Sequence, residues 1–198
     1  MMLIERIVTR SLGAAAIIAL AVLPARAGEH GSPKRRVYTS PDRQMRAVVL
    51  GVAPRPGAPR IESKVEIDRA DHTPANTVDY SSPDGSHGYR VIKAHWTPDS
   101  QFFVYSMASS GGHQPWHSPI YFYSRKINKT QGIEQTLGKP VLDADFTLEA
   151  PATVTITTWV KPPLDSDTEI MEDVKLDELA FTPANQPLQP RTLATPAP

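Results

Sequence analysis

Residues 88–124 read GYRVIKAHWTPDSQFFVYSMASSGGHQPWHSPIYFYS and hold two of the chain's three tryptophans and three of its six histidines. Tyr89 to Ile92 and Phe102 to Tyr105 alternate or cluster β-branched and aromatic residues, which suits strands. Thr97-Pro98-Asp99-Ser100 stands between them as a tight turn, because proline presets φ and aspartate accepts nearby backbone N–H groups. A Gly/His/Trp/Pro loop spans 107–119, and Ile120 to Tyr123 resumes an extended run. The pattern is strand, turn, strand, loop, strand.

The same punctuation recurs upstream. Ser40-Pro41-Asp42-Arg43 follows Val37-Tyr38 and precedes the valine-rich run Arg46 to Val52, read as a buried strand. Ala53 to Arg60 carries three prolines and is expected to be an exposed connection. Lys64 to Asp68 alternates with period two, as a half-buried strand does. Thr77 to Tyr80 extends further, and Ser82-Pro83-Asp84-Gly85 makes a third turn. Downstream, Val141 to Leu148 reads as extended and Thr153 to Val160 as a strand rich in threonine. Ile170 to Phe181 fits either a helix or a bulged strand. The expected fold is all-β, a single domain of antiparallel hairpins or a meander, propeller-blade-like or sandwich-like, over residues 37–181.

The recurring aromatic-Ser/Thr-Pro-Asp motif is most complete as His95-Trp96-Thr97-Pro98-Asp99-Ser100-Gln101-Phe102-Phe103-Val104-Tyr105-Ser106. It resembles the W-S-P-D-G signature of WD40-like β-propeller repeats of the TolB type, over about 30–40 residues. The resemblance implies structural roles for Trp96, Pro98, Asp99, Phe103 and Tyr105: packing between blades and closing a hairpin. Pro41 and Pro83 lie 42 residues apart, which fits a blade, whereas Pro83 and Pro98 lie 15 apart, which does not. A closed propeller needs at least ~4 blades, so the resemblance implies an incomplete or sandwich-like relative.

The first 27 residues have the layout of a secretory signal peptide. Arg6 and Arg10 precede the apolar run Leu12 to Leu23, and Ala25-Arg26-Ala27 is a small-x-small cleavage site. That run is shorter than the ~20 residues a membrane-spanning helix needs. Residues 28–36 read as a polar leader and 182–198, with five prolines, as a disordered tail. Without residues 1–27 the chain carries 18 basic and 20 acidic side chains, near −2, no footprint for nucleic acid or anionic lipid. The sequence has no cysteine, which excludes disulfides, thiolate catalysis and Cys-based zinc sites. The expected location is periplasmic or secreted, with no transmembrane segment in the mature chain.

Of all stretches, Ser109 to Pro119 has the composition that most invites a function. Two glycines permit close backbone approach, and His113, Trp116 and His117, with Tyr121 beyond them, form a candidate binding surface. His113 and His117 are four apart, but Pro115 and Pro119 oppose a helix, and the H-E-x-x-H zinc pattern is absent. A loop could still gather His95, His113 and His117 around zinc or another transition metal. The bland alternative has Trp116 folding back as an apolar anchor, with histidines and serines satisfying loop backbone groups. Catalytic motifs are missing: no G-x-S-x-G, P-loop or G-x-G-x-x-G. Ser109 and Ser110 near His113 make no triad. Asp143 and Asp145, and the acidic group Asp165, Asp167, Glu169, Glu172 and Asp173, suit a solvated face. Asn128-Lys129-Thr130 fits a glycosylation sequon.

These features point to an exported binding or accessory protein of the envelope or extracellular space, with no catalytic residues and no cofactor. Its partner would be an envelope or extracellular protein or a small ligand. Two alternatives are a metal-binding protein or metal-dependent enzyme using the histidine loop, and a structural subunit packing on another β-propeller.

Overall fold

The computed structural model describes residues 35–55, 61–112, 114–160 and 168–179. The expected signal peptide, most of the leader, the tail, His113, Asp165, Asp167 and residues 56–60 of the proline-rich connection lie outside the described residues. Strands β1 (Arg35–Thr39), β2 (Met45–Val52), β3 (Glu62–Arg69) and β4 (Pro74–Asp79) form a four-stranded antiparallel sheet in sequence order. A second sheet repeats that order with β5 (Tyr89–Trp96), β6 (Phe102–Ser109), β7 (Ile120–Ser124) and β8 (Lys129–Gly132). After the short helix α1 (Ile133–Leu137), β9 (Thr147–Glu149), β10 (Thr153–Val160) and β11 (Thr168–Lys175) make a third antiparallel sheet, closed by α2 (Leu176–Leu179). The all-β expectation holds, with three open sheets among the described residues.

The second sheet is the middle layer. On β6, Phe103, Tyr105 and Met107 pack with Val49, Val65 and Ile67 of the first sheet. The alternate residues Phe102 and Val104 pack with Val154, Ile156 and Val174 of the third. Strand side chains alternate between faces, so a strand covered on both sides favours apolar residues on both faces. That is why Phe102 to Tyr105 runs without a polar break. Fully burying each such side chain contributes about 1.5–3 kcal/mol, and β6 serves two cores at once.

All three Pro-Asp turns share one local network. The Ser40 hydroxyl donates to Asp42 Oδ1 at 2.6 Å and accepts the Met45 N–H at 3.0 Å. The Thr97 hydroxyl donates to Asp99 Oδ1 at 2.6 Å and accepts the Phe102 N–H at 3.0 Å. The Ser82 hydroxyl lies 2.9 Å from Asp84 Oδ1 and accepts the His87 N–H at 3.1 Å. The fourth residue of each turn is left-handed: Arg43 at φ 60°, Ser100 at φ 63°, Gly85 at φ 74°. The first two close the β1–β2 and β5–β6 hairpins. The third lies between β4 and β5 and links one sheet to the next.

The first two turns also bind one another. Asp42 N–H donates to Ser100 Oγ at 3.0 Å, and Arg125 Nη1 bridges Asp42 Oδ2 at 2.5 Å and Ser100 O at 3.1 Å. Trp96 is buried, its Nε1–H donating to Tyr38 O at 2.9 Å. β1 starts two residues before the expected domain edge, since Arg36 is fastened to Val91 O at 2.6 Å. Of the ambiguous Ile170–Phe181 stretch, the described residues divide into the end of β11 and the single-turn α2, and Asp143 and Asp145 fall in the irregular segment before β9. α1 has no counterpart in the sequence reading. It ends at Gly138, whose left-handed φ of 69° lets its N–H reach Glu134 O.

Candidate functional site

The loop from Ser110 to Pro119 leaves the middle sheet at the end of β6 and returns at β7. Its root is fixed by a carboxylate from the first sheet. Glu62, 1% exposed, accepts the Ser82 N–H at 2.6 Å, the Gly88 N–H at 2.7 Å and the Ser110 hydroxyl at 2.7 Å. The Ser82 hydroxyl also reaches it at 2.7 Å. Burial alone would raise this carboxyl, but the bonds from Ser82, Ser110 and Gly88 outweigh it and hold the pKa below the usual glutamate value. Gly88 has to be glycine here, since a Cβ would lie 2.3 Å from Tyr80 O and 2.6 Å from the Glu62 carboxyl carbon. Ser110 N–H donates to Gly88 O at 2.9 Å, completing the clasp.

At the far side of the loop, His117 Nε2 lies 2.8 and 2.9 Å from the two Glu134 oxygens. Its Nδ1 faces Gln114 Oε1 at 3.1 Å. Glu134 Oε1 also accepts the Val141 N–H at 2.6 Å, so the carboxylate joins the loop, α1 and the segment before β9. The Trp116 and His117 rings have centroids 5.6 Å apart with planes tilted 35°, and Trp116 is 49% exposed. The loop therefore presents an indole beside an anchored histidine. Trp116 thus lies outside both apolar cores of the described residues.

Tyr121, on β7, stacks on Tyr105 at 6.1 Å with planes 15° apart. Burial first, then the Glu134 carboxylate, push its phenol up to about 12. Tyr89 is raised by burial and by the same carboxylate. Tyr89, Tyr121, Glu134, His117 and Trp116 thus form one aromatic and acidic neighbourhood. Glu134, Tyr89 and Glu62 were not singled out in the sequence. Glu134 is the second residue of a five-residue helix that starts after Gly132, too short for a periodic signal.

The histidines expected to cooperate are placed differently. His95 is exposed on β5 and meets Phe146 edge-on at 6.3 Å. His117 is committed to Glu134 and Gln114, and His113 lies outside the described residues. Among the described residues no three His, Asp or Glu side chains converge as a metal site. Asp145 pairs with Lys93, which lowers its pKa, and its backbone N–H donates to Asp143 at 2.9 Å. On β11, Glu172 pairs with Lys139 at 2.5 Å, and Asp173 accepts the Thr155 hydroxyl at 2.6 Å. Asn128 Oδ1 accepts the Tyr123 hydroxyl at 2.9 Å, so the sequon's amide has an internal role.

No protein-family model and no curated protein matches the chain. Among solved structures, a chain of Clostridium novyi NT described as a "putative conserved lipoprotein" is similar, with a TM-score of 0.44 and 11% identity over 73% of this chain and 88% of that one. Among the described residues no helix is long and apolar enough to cross a membrane.

Proposed function

We propose that this chain is an exported, non-catalytic binding protein of the cell envelope or extracellular space. In this reading it engages a protein partner through the β6–β7 loop. The carrying observation is the exposed Trp116 ring beside His117, with His117 itself bound by both oxygens of Glu134. Indoles supply large contact area at low conformational cost, and loops on rigid β scaffolds often carry recognition. Export is supported by the signal-peptide layout of residues 1–27. The identical turn networks of Ser40 and Thr97 support descent of the two four-stranded sheets from a TolB-type propeller repeat.

Trp116→Ala should lose partner capture from native envelope extracts while keeping the wild-type melting temperature. Retained capture would remove the loop from the binding surface. A large fall in melting temperature would make Trp116 a folding residue.

A further inference from the structure

A cleft of about 460 Å³ opens between the first and second sheets, at the end of β7 away from the Trp116 loop. It is lined from the first sheet by Gln44, Arg69 and Asp71, and from the second by Tyr123, Arg125 and Asn128. Two guanidinium groups line this cleft, and of the two only Arg125 forms an ion pair among the described residues, with Asp42.

The donors are held in place from behind. Arg125 Nη1 is tied to Asp42 Oδ2 and Ser100 O, which fixes the guanidinium plane. Arg69 Nη1 reaches Thr73 Oγ1 at 3.5 Å and Pro74 O at 3.3 Å, and among the described residues Arg69 forms no ion pair. Among the described residues only Nη1 of each group is engaged, leaving Nη2 and Nε as donors. Asn128, left-handed at φ 52°, spends its Oδ1 on the Tyr123 hydroxyl, so its NH₂ is a third donor. Burial raises the Tyr123 phenol, while Arg69 and Arg125 both pull it back, which places both cations around the same hydroxyl.

We propose that this cleft binds a small organic carboxylate, with Arg69, Arg125 and the Asn128 amide as its donors. Charge selects the class. The two guanidinium charges are offset by Asp42 behind Arg125 and by Asp71 in the lining, so the cleft is close to neutral. A singly charged carboxylate meets the spare N–H donors with less repulsion from Asp71 than a phosphate near −2. Guanidinium groups match carboxylates through paired N–H donors, and the volume suits a ligand of a few carbons.

The full chain, ¹⁵N-labelled, should be titrated with acetate, butyrate and inorganic phosphate, following the Asn128 side-chain NH₂ by NMR and affinity by calorimetry. Butyrate should give a saturable shift at Asn128. Arg69→Gln should weaken it about tenfold or more, the scale of one lost charged hydrogen bond, and Arg69→Lys should restore only part. Asn128→Asp, which keeps the acceptor for Tyr123, should weaken it too and serves if the arginine variant fails to fold. No saturable shift with either carboxylate would overturn the proposal. So would phosphate binding as tightly as butyrate, or unchanged butyrate affinity in Arg69→Gln or Asn128→Asp.

Discussion

Ser110, at the root of the exposed loop, donates its hydroxyl at 2.7 Å to Glu62, 48 residues earlier on the first sheet. The same carboxylate holds Ser82 and Gly88. One buried side chain therefore sets the starting point of the Trp116 loop and the crossing between two sheets.

Glu62→Ala should destabilise the protein by about 3 kcal/mol, since buried donors left unpaired cost ~1–3 kcal/mol each and partly find water. For a domain of this size that is a fall of roughly 6–12 °C in Tm, read by circular dichroism. The pH dependence has a defined sign. The folded carboxyl sits below its unfolded value of about 4.3, so its stabilisation is complete above that value. It is lost as pH falls through the folded pKa. Glu62→Gln should be less stable at neutral pH and show a shallower acid limb than wild type; an equally steep limb would assign acid unfolding to other carboxyls.

Thr97→Val should cost about 2 kcal/mol, because the buried Phe102 N–H loses its acceptor and Asp99 a donor. Ser40→Ala should cost a similar amount, since its network is the same. Hydrogen exchange at the Phe102 amide checks the mechanism: protection there should drop in Thr97→Val more than at residues of the third sheet.

The tyrosines should resist ionisation. Burial raises Tyr80, Tyr89, Tyr105, Tyr121 and Tyr123, with Tyr121 at about 12. Because folded phenols hold their protons above the unfolded value of about 10, stability should decline as pH rises beyond it. Ultraviolet titration should show most phenolate absorbance appearing together with unfolding. A smooth titration of five phenols near pH 10 with the fold intact would contradict the packing around Tyr105.

Strand positions were largely legible because β2, β3 and β6 carry patterns that follow directly from coverage: alternation where one face is wet, continuity where both are dry. The turns were legible too, as Ser/Thr-Pro-Asp encodes its own hydrogen bonds. Repeat counting from them was not, since Ser82-Pro83-Asp84-Gly85 builds the same local geometry without a hairpin around it. Of the three, the turns of Ser40 and Thr97 close hairpins, while that of Ser82 links two sheets. Around the candidate site, Trp116, His117 and Tyr121 were visible by residue type. Glu62 and Glu134 were not, because a buried carboxylate is defined by partners distant in sequence. The acidic run on β11 lies along the outer edge of the third sheet, where charge discourages another strand from pairing.

The bonds that join the first two sheets span long stretches of chain: Trp96 to Tyr38 and Asp42 to Ser100 are each 58 residues apart. During synthesis β1 to β4 emerge well before their cover exists. Val49, Val65 and Ile67 then face water until Phe103 and Tyr105 arrive. Such uncovered intermediates are where aggregation begins. The first sheet therefore gains a stable core only once the middle sheet has formed against it.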